Sequence, residues 1–295
     1  MKLGIQILNY NGMRWLPGLM ASLSAGAGKG KQVYIVDNGS SDESLAFIER
    51  EYPEVIIIRN NENLGYAAAY NRSMPQAFSD GCDWVCLLNT DTLVESEWLD
   101  SIAVAANTDP QLGVLGPVFT EWDSDAPNFY MTARCPDVIP FMFDATHEPV
   151  DRDWVEGSVF FINRQCYEDI GGLNPLYFMY WEEADYCRRA RYHGWRVAVV
   201  PGSVCKHYAG GSATEGGTDF LQIRNHFYFK LTDPNHTFAR NILSAARLGL
   251  TYTKLNLWDK PDARKLGHVL KAFASAGLHI LSCFQSWKSD SVYGR

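Results

Sequence analysis

The chain has 295 residues, 46% hydrophobic and 20% charged. That is the composition of a folded protein, and it excludes a disordered, collagenous or coiled-coil chain. A formal net charge of -8 also argues against a general nucleic-acid binder, because such a surface repels phosphates.

In chain order, strand and helix signals alternate. Residues 3–8 form an apolar run closed by Asn9-Tyr10-Asn11-Gly12, a strand and then a turn. Residues 15–25 place Leu16, Leu19, Met20 and Leu23 on one helical face. Strands are predicted at 32–36, 55–59 and 84–88, and helices at 45–52 and 67–79. The strands are apolar almost throughout, so helices are expected on both sides of a mostly parallel sheet. Strands follow at 113–118 and 157–162, and residues 119–153 read as a long loop. A helix at 167–170 ends at Gly171-Gly172, and a second covers 182–193. Residues 195–200 read as a strand and 201–212 as a turn-rich segment, with helices from about 219 onward.

Ligands of such sheets bind beyond the carboxyl ends of the strands. The clusters at 9–12, 37–42 and 89–92 all follow strand ends, so they are expected to share one crevice. Asp91 there is placed to hold a divalent cation against a diphosphate. Asp37 is placed to accept hydrogen bonds from a base or ribose; its ordinary alternative is a turn or helix cap. Glu182, Glu183 and Asp185 crowd three carboxylates into four residues after Tyr177-Phe178-Met179-Tyr180-Trp181. Mutual repulsion raises a carboxylate pKa, which suits a general base. The alternative is a solvated helix start paired with Arg188, Arg189 and Arg191. His207 is a candidate extra metal ligand or a simple packed histidine. Gly210-Gly211-Ser212 is a candidate phosphate-contacting loop.

The ordered segments ILNYNG (7–12), VDNGSSD (36–42), NENLGYAAAYN (61–71), LLNTDT (87–92), EGSVFFINR (156–164), WEEADYCRRAR (181–191) and KHYAGGS (206–212) resemble the family 2 inverting glycosyltransferases of GT-A fold. The similarity is to the rhamnosyltransferase-like and galactofuranosyltransferase-like branch, over about residues 1–225. It implies a Rossmann-like α/β catalytic domain at 1–225, with a nucleotide-sugar half at 1–110 and an acceptor half at 111–225. A basic helical extension at 226–295 completes the chain. It also implies an enzyme moving a sugar from a UDP- or dTDP-linked donor to a glycan or lipid-linked acceptor with Mn²⁺ or Mg²⁺. By the resemblance, Asn9, Asn11, Asp37, Gly65, Asn71, Asn89, Asp91 and Trp181 would contact the nucleotide-sugar. Asp91 and His207 would bind the metal. Glu183 would be the catalytic base, supported by Glu182 and Asp185. Two departures stand out: Asn89 replaces the first Asp of the D-x-D motif, and Glu183 replaces the usual Asp base.

Two rival enzyme classes lack their signatures. A dinucleotide-binding dehydrogenase needs G-x-G-x-x-G after the first strand, where this chain has Asn9-Tyr10-Asn11-Gly12. A nucleotidyltransferase would carry a Gly-rich basic loop there. A sugar- or nucleotide-binding module without catalysis would lose the acidic cluster.

Residues 236–295 carry nine Lys and Arg against three Asp and Glu, a basic tail on an acidic body. Lys265, Leu266, Val269, Leu270, Phe273, Leu278, Ile280 and Leu281 build an amphipathic face. It could meet a membrane surface, a second copy of the chain, or the catalytic domain itself. Seven cysteines with no C-x-x-C pair, and no signal-peptide pattern at the N-terminus, lead to the expectation of a cytoplasmic protein, with any membrane contact at the inner face.

Overall fold

A computed structural model describes residues 1–25, 31–208, 218–259 and 262–290. Four parallel strands form its first half: β1 (Leu3–Asn9), β2 (Lys31–Asp37), β3 (Ile56–Arg59) and β4 (Trp84–Asn89). Between them run α1 (Leu16–Ala25), α2 (Ser44–Glu51) and α3 (Gly65–Ser79). Ile5, Ile7, Val85 and Leu87 are fully buried, each contributing about 1.5–3 kcal/mol by leaving water. β3 is only partly covered, because it lies at the sheet edge.

The second half mixes directions. After β5 (Thr92–Val94) and α4 (Trp98–Thr108) come β6 (Leu112–Thr120), α5 (Phe129–Arg134), β7 (Val150–Asp151), β8 (Val159–Asn163), α6 (Arg164–Ile170), α7 (Glu182–Tyr192) and β9 (Arg196–His207). The sheet order is β3-β2-β1-β4-β8-β6-β9-β5, with β7 on β9. β8 runs antiparallel to both β4 and β6, whereas β6 and β9 are parallel.

Two sequence expectations need correction. Residues 119–153 are not one long loop: α5 is capped by Asn128, whose side chain accepts from Met131 N, and Tyr130, Met131, Cys135 and Val138 are buried. Nor does the chain turn away at Pro201. β9 continues through it to His207, with a bulge where Pro117 and Val118 of β6 face Val200 and Val204. Gly202 supplies a φ of +78°, and a Cβ there would collide with the main chain of Ala145.

The remaining helices are α8 (Thr218–Leu231), α9 (Phe238–Lys254), α10 (Ala263–Leu278) and α11 (Ile280–Asp290), with a π-helical turn at Leu255–Asp259. They gather a second apolar cluster around Tyr177, Phe227, Tyr228, Leu231, Val269 and Ala272, apart from the main one on the sheet. Among the described residues no single helix is long and apolar enough to cross a membrane. α10 and α11 meet that test only as a pair bent by 64°. All seven cysteines are buried and free.

Candidate active site

The carboxyl ends of β1, β2 and β4 open onto one cavity of about 530 Å³. Asn11, Gly65, Asn89, Asp91, Glu182, Glu183 and His207 all line it, so candidates far apart in sequence converge there. Asn9 and Asp37 are buried at the ends of β1 and β2. Asn9 Nδ2 lies 3.0 Å from Asp37 Oδ1 and 2.9 Å from Ser44 Oγ, and Asp37 Oδ2 accepts from Ser40 N at 3.2 Å. This network shapes the loop after β2. Asn11 adopts a φ of 52° and accepts from Ser41 N at 2.8 Å; asparagine tolerates the left-handed region.

Asp91 meets His207 because β5 pairs antiparallel with the extended β9, setting Thr92 opposite His207. His207 Nε2 lies 3.7 Å from Asp91 Oδ1, and Nδ1 lies 2.5 Å from Glu156 Oε1. Burial opposes a charge on His207, but Glu156, and then Asp91, outweigh it and hold the pKa above the usual value. A carboxylate fixing one imidazole nitrogen while the other faces a ligand position is a common support for a metal ligand. Among the described residues no three His, Cys, Asp or Glu side chains gather around a metal position. Two protein donors completed by substrate oxygens is the set this site offers, and it fits Mg²⁺ or Mn²⁺.

Glu182 and Glu183 open α7. Burial pushes Glu183 up to about 7, and the charge of Glu156 adds to the shift. Burial, then the charge of Glu183, raises Glu182 well above the ordinary carboxylate range. Glu183 also lines a second cavity of about 650 Å³, with Trp122, Phe129, Trp154, Tyr208 and Arg134. Glu156 and His207 border both cavities.

The turn before Glu182 is strained. Tyr180 and Trp181 are left-handed, with φ of 74° and 75°, which costs about 1–2 kcal/mol per residue. Asn225 of α8 holds it: its buried carboxamide donates to the carbonyls of Met179 and Tyr180, both at 2.8 Å. Trp181 stacks on His226 at 4.4 Å and donates to Gln222 at 3.2 Å. Below the turn, Tyr66 N donates to Phe178 O at 2.7 Å. A Cβ on Gly65, where φ is 77°, would strike that carbonyl.

Five sequence candidates lie off the cavity wall: Asn9 and Asp37, held in the buried network at the strand ends, and Trp181, Asn71 and Asp185. Trp181 faces α8. Asn71 donates to Leu173 O at 2.7 Å and accepts from Leu173 N at 2.8 Å, fastening the loop after α6. Asp185 is fully buried between Arg188 and Arg189, at 2.7 and 3.0 Å, and anchors α7. The Gly210-Gly211-Ser212 segment lies outside the described residues. Glu156 and Asn225 carry no site signal in the sequence. Glu156 opens the EGSVFFINR segment, but nothing local marks it as the partner of a distant histidine.

A sheet of this order, with polar strand ends around one cavity, is the architecture of GT-A glycosyltransferases. The family described as "Glycosyltransferase like family 2" matches residues 7–226, and the chain belongs to it; the protein is a glycosyltransferase. It is similar to the N-acetylglucosaminyl-diphospho-decaprenol L-rhamnosyltransferase of Mycobacterium tuberculosis, with 28% identity covering 70% of this chain and 76% of that one. It is also similar to the low-salt glycan biosynthesis hexosyltransferase Agl10 of Haloferax volcanii, with 25% identity over 64% of this chain and 61% of that one. Among solved structures, the mannosyltransferase PcManGT from Pyrobaculum calidifontis in complex with GDP-Man and Mn²⁺ superposes with a TM-score of 0.58. The identity is 16%, over 97% of this chain and 79% of that one. S. aureus TarS 1-349 with UDP-GlcNAc gives a TM-score of 0.61 at 13% identity, over 99% of this chain and 91% of that one.

Proposed function

We propose that the protein is an inverting, metal-dependent glycosyltransferase. It would move a sugar, with rhamnose the first candidate, from a UDP- or dTDP-linked donor to a hydroxyl of a lipid-linked or glycan acceptor. The place of work would be the cytoplasmic side of a membrane, in cell-surface polysaccharide synthesis. The observation that carries this reading is the position of Glu183, which borders both cavities.

The donor occupies the first cavity, its nucleotide beside Asn11, Gly65 and the Asn9–Asp37 network and its diphosphate beside Asp91 and His207. The acceptor enters the second, where aromatic rings give a sugar apolar faces to stack on. Glu183 accepts the proton of the acceptor hydroxyl. The oxygen forms its bond to the anomeric carbon as the bond to the diphosphate breaks, and attack from the opposite face inverts the configuration. Asp91 and His207 would hold Mn²⁺ or Mg²⁺, which supplies charge neutralisation for the departing diphosphate. The relatives support the reading: one is an N-acetylglucosaminyl-diphospho-decaprenol L-rhamnosyltransferase, and a structural neighbour holds a nucleotide-sugar with Mn²⁺.

Incubation with a panel of nucleotide-sugars, Mn²⁺ or Mg²⁺ and an N-acetylglucosaminyl-diphospho-lipid tests it. The expected result is released nucleoside diphosphate and a product of inverted anomeric configuration. Asp91→Ala should lose Mn²⁺-dependent donor binding in calorimetry. Turnover that survives both a chelator and this substitution, or a retained configuration, would overturn the reading.

A further inference from the structure

The C-terminal helices carry an exposed face that the transfer reaction does not use. On α9, Arg240, Arg247 and Lys254 recur every seven residues, and Leu243 and Leu250 follow each of the first two cations by three. At that spacing the two stripes run side by side along one side of the helix. The leucines are not packed on the protein: Leu243 is 60% exposed and Leu250 72%. The π-helical turn that follows presents Trp258 at 70% exposure. Beyond it, Arg264 and Lys271 of α10 are exposed, with Leu278 at 84% and Leu281 of α11 at 73%. No Asp or Glu occurs between Asp233 and Asp259.

We infer that this face docks on an anionic lipid bilayer. Exposed leucines and a tryptophan flanked by long basic side chains match an interface with hydrocarbon below and anionic headgroups beside it. Charge argues against a second copy. An isologous contact sets the same patch of each copy against the other, so each basic stripe would meet an equally basic one with no carboxylate on α9 to pair it. The opposite sides of α10 and α11 already pack on the protein through Val269, Ala272 and Cys283, so the pair lies as a layer on the molecule. α8 joins this layer to the active site. Its Leu221 lines the first cavity, and its Phe227 packs on Phe273 of α10 at 5.7 Å. Docking therefore brings the site to the surface where a lipid-linked acceptor resides, deepening the proposed reading.

The test is co-sedimentation of the full chain with vesicles of phosphatidylcholine alone, or with 30% phosphatidylglycerol. Binding is expected only to the anionic vesicles and should weaken with salt. Each cation near such a surface is worth about five-fold in affinity, so R240E/R247E/K254E should lose more than ten-fold. L243S/L250S should lose binding as well. Circular dichroism and thermal shift by nucleotide-sugar should be unchanged in both variants. No binding to anionic vesicles, or equal binding by wild type and both variants, overturns the inference. So does a sedimentation-velocity dimer that L243S/L250S dissociates while vesicle binding is absent. Vesicle binding is read without donor or acceptor, so its failure leaves the transfer reading standing. Transfer that fails on a water-soluble acceptor while docking persists sinks only the transfer reading.

Discussion

Glu183 is defined by where its carboxyl sits. Burial raises it to about 7, the charge of Glu156 adds to this, and main-chain N–H groups at the start of α7 moderate it. A base must be ionised to accept a proton, so kcat/KM should climb with pH along an acidic limb near 7 and level off above it. Glu183→Gln keeps the shape and loses the acceptor, so kcat should fall about 10²–10⁴-fold, while donor binding measured by calorimetry persists. The same exchange should stabilise the protein. The folded pKa lies above the ordinary value of 4.5, so this group's contribution to stability is complete below that value and is lost as pH rises through about 7. Gln escapes that loss. Its Tm should exceed the wild-type Tm at pH 8, with the gap narrowing at pH 5. A gap that does not change with pH would contradict burial as the cause of the shift.

At the scale of elements, α8 decides how α7 begins. Two hydrogen bonds from Asn225, each worth about 0.5–1.5 kcal/mol, oppose the left-handed strain at Tyr180 and Trp181. Asn225→Ala should let the turn relax and shift Glu182 and Glu183. Displacement of a catalytic group by about 1 Å costs on the order of 10²-fold, so kcat should fall by that order with the donor KM unchanged. The acidic limb should move toward lower pH as water reaches Glu183. Asn225→Asp, equal in size but without the donors, should behave alike. A normal kcat and pH profile in a folded Ala variant would show that Asn225 only packs. This dependence was not legible in the sequence, because Asn225 lies far along the chain from the turn it holds. The strand–helix alternation through β4 was legible, since each element there declares itself by its own apolar period. The course of β9 was not: Pro201 and Gly202 are turn residues by local preference, and only pairing with β6 makes them a bulge. The same hidden pairing carries His207 to Asp91. At Asp185 the local pattern gave two answers, site support or ion pairing with Arg188 and Arg189. Geometry favours the pairing, because both guanidiniums come from the next turn of the same helix.

Across the whole molecule, Arg188 ties the sheet domain to the C-terminal helices. From α7 it donates to Asp185 at 2.7 Å and, across the boundary, to Phe229 O at 2.5 Å and Thr232 Oγ1 at 3.0 Å, while its guanidinium lies over the Phe229 ring at 3.8 Å. The C-terminal cluster is the smaller of the two, and small cores gain least from burial. Its helices should therefore open with the sheet domain only as long as this tie holds. Arg188→Ala leaves Asp185 buried with Arg189 as its remaining ion-pair partner, and breaking a buried pair costs about 3–5 kcal/mol. Hydrogen exchange read segment by segment checks the consequence. In the wild type, protection of α8, α9 and α10 should track that of β1 and β4. In Arg188→Ala the helices should exchange first, with β1 and β4 still protected, because the strands keep their own core. Equal loss of protection in both parts would place the coupling elsewhere, in Tyr177, which reaches from the segment before α7 into the C-terminal cluster and packs on Tyr228 at 6.3 Å.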